Sequence, residues 1–149
     1  MIIVSACLCG INCKYSGGNN LNQKVLELVK EGKAIPVCPE QLGGLSTPRI
    51  PHEIKGGTGK GVLEGSAKLI NPEGGDSTKE FIKGAYETLK IAQTVGAKKA
   101  ILKAKSPSCG CGLIYDGTFT GNKIEGNGVT TELLLQNGIE VITEEVIEN

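Results

Sequence analysis

Apolar residues along the chain fall into two alternating registers. Short β-rich runs, namely Ile2 to Ala6, AIPVC ending at Cys38, KKAILK around Ile101 and Leu102, and IEVI after Gly138, alternate with segments whose apolar residues recur at helical spacing. In the helical segments Val25, Leu26, Leu28 and Val29 lead to Gly32, then Phe81, Ile82, Ala85, Leu89 and Ala92 lead to Gly96, and Leu133 and Leu134 lead to Gly138. Each glycine stands where a left-handed residue closes a helix, and a strand follows each one. Ser77 and Glu80 have the spacing of a capping box at the head of the longest helix. The order β-α-β, insertion, α-β, insertion, α-β predicts an α/β fold: a parallel, doubly wound, Rossmann-like sheet flanked by helices, with two loop or hairpin insertions. The first insertion, residues 41 to 75, is rich in Gly and Pro and predicts a hairpin around Glu64-Gly65. The second, residues 106 to 127, contains Tyr115-Asp116-Gly117-Thr118, whose Asp-Gly pair predicts a tight type I′ turn.

The 149 residues fit one domain spanning 1–149. Six cysteines are too few for a disulfide scaffold, and the C-x-C spacings at 7/9 and 109/111 suit metal or redox chemistry in a reducing cytosol, so a cytoplasmic location is expected. Val4-Ser5-Ala6-Cys7 resembles a lipoprotein cleavage box, but the apolar start is far shorter than a signal h-region, and no apolar run approaches a membrane span. Sixteen basic residues balance sixteen acidic ones, and two Phe, three Tyr and no Trp make a poor stacking platform. Nucleic acid is therefore not an expected partner without a further RNA-binding domain. The lysines of KKAILKAK, residues 98 to 105, read as a solvated strand end rather than a phosphate patch.

The cysteines map onto the sheet in an ordered way. Cys7 ends the first strand, Cys38 ends the second, and Cys109 lies just beyond the strand of Ile101 and Leu102. In a parallel sheet these carboxyl ends share one edge, where open α/β folds bind ligands, so the three thiols are expected to converge. Zinc, an iron–sulfur cluster and a vicinal redox pair (Cys7 with Cys9, Cys109 with Cys111) are all open to such thiols. The absence of paired C-x₂₋₄-C spacing weighs against zinc, and the absence of C-x-x-C against thioredoxin-like chemistry. A cluster is the strongest of these readings, with Cys13 as a possible fourth ligand. Glu40 follows a thiol by two residues, where an apolar environment would suit it to general-base duty, and Ser106 and Ser108 put hydroxyls beside Cys109. Arg49 offers a planar contact for an anion or carbonyl. His52, the sole histidine, reads as surface loop. KGGTGKG at 55–61 fails as a P-loop, because Ile54 replaces its first glycine and Gly61 its Ser or Thr.

Three blocks, SACLCGINCKYSGG, PVCPEQLGGLSTPR and KSPSCGCGLIYDGTFTG, together resemble the thiouracil desulfidase family of small bacterial and archaeal domains, and the likeness runs over nearly the whole chain. The resemblance implies an α/β fold and a [4Fe-4S] cluster held by Cys7, Cys38 and Cys109, with one iron left open. It implies a catalytic carboxylate at Glu40 and a catalytic serine at Ser106 or Ser108. The implied reaction is a non-redox replacement of sulfur by oxygen in a small thiolated base or nucleotide, with Tyr15 and Arg49 among the residues that bind it. Lys14-Tyr15-Ser16 stands where the family has Arg-Tyr-Asp, Ser46 where it has Pro, and Cys9 and Cys111 are additional thiols. Two other readings stay open: desulfidation of thiolated tRNA, and a non-enzymatic protein that binds metal through its thiols.

Overall fold

The computed structural model describes residues 1–147. Its central sheet has four parallel strands, β1 (Ile2–Ser5), β2 (Ala34–Val37), β5 (Lys99–Leu102) and β8 (Glu140–Thr143), in the order β2-β1-β5-β8. Register pairs Ile3 with Ile35 and Ala100, and Ile101 with Ile142. The edge position of β2 accommodates Pro36, which has no N–H to donate to a ladder. Alternate residues point to opposite faces. Ile3, Val37, Ala100, Leu102 and Val141 pack on one side and Val4, Ala34, Ile101 and Ile142 on the other.

Helix α1 (Gln23–Lys30) covers the second face through Val25, and its amides are capped by Asn22, whose Oδ1 accepts from Lys24 N and Val25 N. The long helix α4 (Thr78–Thr94) and the shorter α5 (Val129–Gln136) cover the first face around Phe81, Ala85, Leu133 and Leu134. Gly32, Gly96 and Gly138 follow the three helices with φ between 68° and 77°, the left-handed closures the sequence predicts. Because β1 leads to β2 on one side and the chain then returns past β1 to β5, the order reverses between β1 and β5. The expected doubly wound sheet is present.

Both insertions carry an antiparallel strand pair, as expected, but the connections differ from the predicted turns. The first carries the short helix α2 (Pro39–Leu42) and the antiparallel pair β3 (Glu53–Lys55) and β4 (Lys68–Ile70), joined through helix α3 (Gly59–Glu64). Glu64-Gly65 is therefore the end of a helix, with Gly65 at φ 91°, and not a hairpin turn. A left-handed glycine serves either purpose. The second insertion pairs β6 (Leu113–Tyr115) with β7 (Lys123–Glu125) around a seven-residue loop, 116–122. Only Gly117 of the Asp-Gly pair has positive φ, so the turn is not type I′. Asp116 instead accepts from the Thr118 amide.

Nor does the Ser77–Glu80 capping box form. It would need the free amide of Ser77, which already donates to the Leu69 carbonyl at 2.9 Å, and Ser77 Oγ meets His52 instead. Asp76 takes over, accepting from Thr78 N at 2.9 Å, while Glu80 Oε2 is left buried without a partner.

Helices α2 and α4 cross with their backbones in contact. A Cβ on Gly84 would lie 1.9 Å from the Pro39 carbonyl oxygen, and one on Gly43 1.9 Å from that of Glu80. Gly84→Ala should therefore lower the unfolding free energy by about 2 kcal/mol through overpacking, read as a melting temperature lower by about 4–8 °C. An unchanged midpoint would show that the crossing opens freely.

Candidate active site

The carboxyl ends of β1, β2 and β5 frame a cavity of about 520 Å³ whose walls include Cys7, Cys13, Cys38 and Cys109. Cys7 lies in the short helical turn Ala6–Cys9 after β1, Cys38 is the residue before α2, and Cys109 sits in the loop after β5. That loop is fastened to the start of α5. Val129 N donates to the Pro107 carbonyl, Thr130 N and Thr131 N donate to that of Ser108, and Thr131 Oγ1 donates to that of Cys109 at 2.7 Å. The ends of β1 and β5 are laced together by Lys103 N, which donates to Ser5 Oγ at 2.9 Å.

Each of the three strand-end thiols receives a hydrogen bond suited to an anionic sulfur. Asn20 donates to Cys7, the Gln41 amide to Cys38, and Ser5 to Cys109. Burial pushes the Cys7 thiol up and pushes Cys109 up to about 12, because a bare thiolate there would be desolvated. Cys13 and Cys38 share one proton between their sulfurs, so that one of the two ionises readily while the other is held protonated, and Cys38 Sγ also lies 3.8 Å from the Cys13 carbonyl. Cys9 and Cys111 lie off the cavity wall, with their sulfurs 4.0 Å from the Ser5 carbonyl and 3.6 Å from that of Val141. The vicinal redox pairs are not assembled, and all six cysteines are free thiols.

Among the described residues, no three Cys, His, Asp or Glu side chains are grouped to share a single metal ion. Thiols spread over three strand ends suit a polynuclear group gripped at its corners better than one zinc ion, and the donors to each sulfur suit thiolate ligands.

Beside the thiols stands a polar chain. Glu40, in the first turn of α2, is held at Oε2 by Arg49 Nε (2.8 Å) and Nη2, in an ion pair whose side chains are 14% and 6% exposed respectively. Its environment is therefore ionic and not the apolar one expected. Glu40 Oε1 accepts from Ser108 Oγ at 3.1 Å. Ser106 Oγ accepts from the amides of Ser108 and Cys109, both at 3.1 Å, which directs its own proton to Ser108 Oγ at 3.0 Å. The order Ser106 to Ser108 to Glu40 follows, with Ser108 Oγ also 3.6 Å from Cys109 Sγ. Tyr15, half-exposed, lines the cavity as expected of its loop.

Three cavity residues escape the sequence reading. His52 is half-buried at the wall rather than in a surface loop. Its ring rests on Phe81 at 5.3 Å between centroids, one nitrogen bonds the Ile50 carbonyl, and Nε2 accepts from Ser77 Oγ at 2.9 Å. Burial lowers its pKa, keeping the ring neutral. Lys103 and Lys105 also line the cavity, paired with Glu144 and Glu145 at 3.1 and 3.0 Å, so this half of KKAILKAK is not a solvated strand end. Alternation with buried Leu102 and Ala104 places both lysines on one side of the chain, a signal that was available, whereas nothing local marks His52. Among the described residues no helix is long and apolar enough to cross a membrane.

The comparisons agree with this geometry. An uncharacterized protein of Bacillus subtilis (strain 168), YbbK, is 53% identical over 144 residues, covering 97% of this chain and 95% of its own. A solved structure described as the [4Fe-4S]-dependent thiouracil desulfidase TudS shares 40% sequence identity and superposes with a TM-score of 0.85, covering 97% of this chain and 90% of that one. The sequence pattern of 2-thiouracil desulfurase matches residues 2–146, and the chain belongs to that family.

Proposed function

We propose that this protein is an iron–sulfur-dependent desulfidase that converts the thiocarbonyl of a small thiolated nucleobase or nucleotide to a carbonyl, releasing sulfide. The observation that carries the reading is the contact of Glu40 Oε1 with Ser108 Oγ at 3.1 Å, in a cavity also walled by Cys7, Cys38 and Cys109. Those three cysteines would hold a [4Fe-4S] cluster. When bound, a cluster with three protein ligands supplies an open, Lewis-acidic iron for a soft sulfur atom.

The chain's own residues account for the proton movements. Glu40 takes a proton from the attacking water at Oε1, the oxygen that Arg49 leaves free, and the oxygen of that water bonds to the thiocarbonyl carbon. Ser108 stands between Glu40 and Cys109 and carries the proton on to the departing sulfur. The carbon–sulfur bond breaks with its electron pair on sulfur as the remaining hydroxyl proton of the adduct passes to Glu40, so water and thiocarbonyl become carbonyl, hydrosulfide and one proton left on Glu40, without oxidant or reductant. Ser106 keeps Ser108 oriented through the loop amides.

The test is anaerobic reconstitution with iron and sulfide, followed by loss of 2-thiouracil absorbance. Glu40→Gln should retain iron and lose turnover by about 10²–10⁴-fold, the usual range for a general base. A variant with undiminished turnover would remove Glu40 from the mechanism, and wild-type protein inactive on a panel of thiolated bases, nucleotides and tRNA would leave a thiol-based metal binder.

The thiols divide in a second measurement. Cys7→Ser, Cys38→Ser and Cys109→Ser should each bring bound iron to a small fraction of wild type, and Cys13→Ser should leave it within about twofold, since Cys13 comes from the loop beyond the Ala6–Cys9 turn and not from a strand end. Equal iron loss in all four variants would make Cys13 a ligand.

A further inference from the structure

Arg49 is a natural candidate for a substrate contact, being a guanidinium on the wall of the cavity. Its hydrogen bonds argue for a different role. A guanidinium has five N–H donors and no acceptor. Nε donates to Glu40 Oε2 at 2.8 Å, Nη2 donates to the same oxygen and to the Cys13 carbonyl at 3.0 Å, and Nη1 donates to the Ser46 carbonyl at 3.2 Å and to Thr47 Oγ1 at 3.0 Å. All five are engaged within the protein. The side chain is 6% exposed, so water does not compete for them.

We infer that Arg49 is a positioning residue, which fixes the Glu40 carboxylate and the Cys13 loop in one plane and makes no hydrogen bond to substrate. The inference rests on the proposed desulfidase reading, and it deepens that reading by assigning what orients its base. Both fork nitrogens fall on a single oxygen, Oε2, so the carboxylate cannot rotate and Oε1 alone is presented to Ser108. The same group joins three chain segments. Its backbone amide donates to the Tyr15 carbonyl at 2.8 Å, Nη2 reaches Cys13, and Nη1 closes its own loop, where Thr47 Oγ1 also accepts from Gln41 of α2 at 2.8 Å. Lysine, with three donors on a point charge, cannot reproduce this set.

The test compares Arg49→Lys, Glu40→Gln and the double variant. In the reconstituted enzyme Arg49→Lys should lower kcat by about 10–100-fold with KM within about twofold of wild type and iron content unchanged. Added to Glu40→Gln it should cause no further loss of kcat, because the group it acts through is already gone. A rise in KM of tenfold or more, or losses that multiply in the double variant, would make Arg49 a substrate contact and overturn the inference. Melting temperatures of the cluster-free proteins give a readout independent of turnover. The double variant should melt no lower than the less stable single variant, and additive shifts would overturn the inference. If wild-type protein desulfurates nothing, the functional reading fails, and the melting cycle alone still decides whether Arg49 works through Glu40.

Discussion

A carboxylate cannot be withdrawn from water beside a set of thiols without a cation to compensate it, and the Glu40–Arg49 pair answers that constraint. An ion pair this deeply set gains little net stability over an apolar packing, but removing either partner leaves an uncompensated charge. The pair therefore couples the geometry of its surroundings. The Cys13 loop, the first turn of α2 and the Ser46–Arg49 loop occupy one arrangement because the guanidinium satisfies acceptors on all three. The oxygen it leaves uncovered is the one that meets Ser108.

That arrangement has a backbone foundation. Helix α2 is only four residues long, too short to be stable by itself, and it is held by direct contact of Gly43 and Pro39 with α4 at Glu80 and Gly84. Helix α4 is in turn anchored on the sheet by Phe81 and Ala85, both buried in the core. Cys109 and the serines have a separate support at the start of α5, where Gly128 approaches the Ser108 backbone so closely that a Cβ would lie 2.5 Å from its carbonyl carbon. Two glycine contacts on two helices thus bring the carboxylate and the hydroxyl to hydrogen-bond distance from opposite sides of the cavity.

Much of this was legible in the sequence because it depends on topology. Helical and strand periodicity, with glycines at 32, 96 and 138, determines four parallel strands, and parallel strands oblige Cys7, Cys38 and Cys109 to emerge at one edge. What was not legible depends on which of several partners a polar group finds. Ser77 has the spacing of a cap, but its amide and hydroxyl are taken by Leu69 and His52, which lie in the first insertion. Glu64-Gly65 and Asp116-Gly117 carry turn chemistry that equally suits a helix end and a longer loop. His52 and Arg49 belong to a stretch without periodicity, so neither the burial of the ring nor the full engagement of the guanidinium leaves a local trace.

The four cavity thiols divide by where the chain places them. Cys7, Cys38 and Cys109 come from separate strand ends, and each accepts a hydrogen bond at sulfur, from Asn20, the Gln41 amide and Ser5, which lowers the free energy of the thiolate against the cost of burial. For Cys109 the donor does not suffice, since burial still pushes its thiol up to about 12. A buried sulfur provided with a donor yet held protonated is poised for a positive partner, and metal binding supplies that charge while releasing the proton. Cys13 comes instead from the loop beyond the Ala6–Cys9 turn, where Arg49 holds its backbone carbonyl, and its thiol shares a proton with that of Cys38.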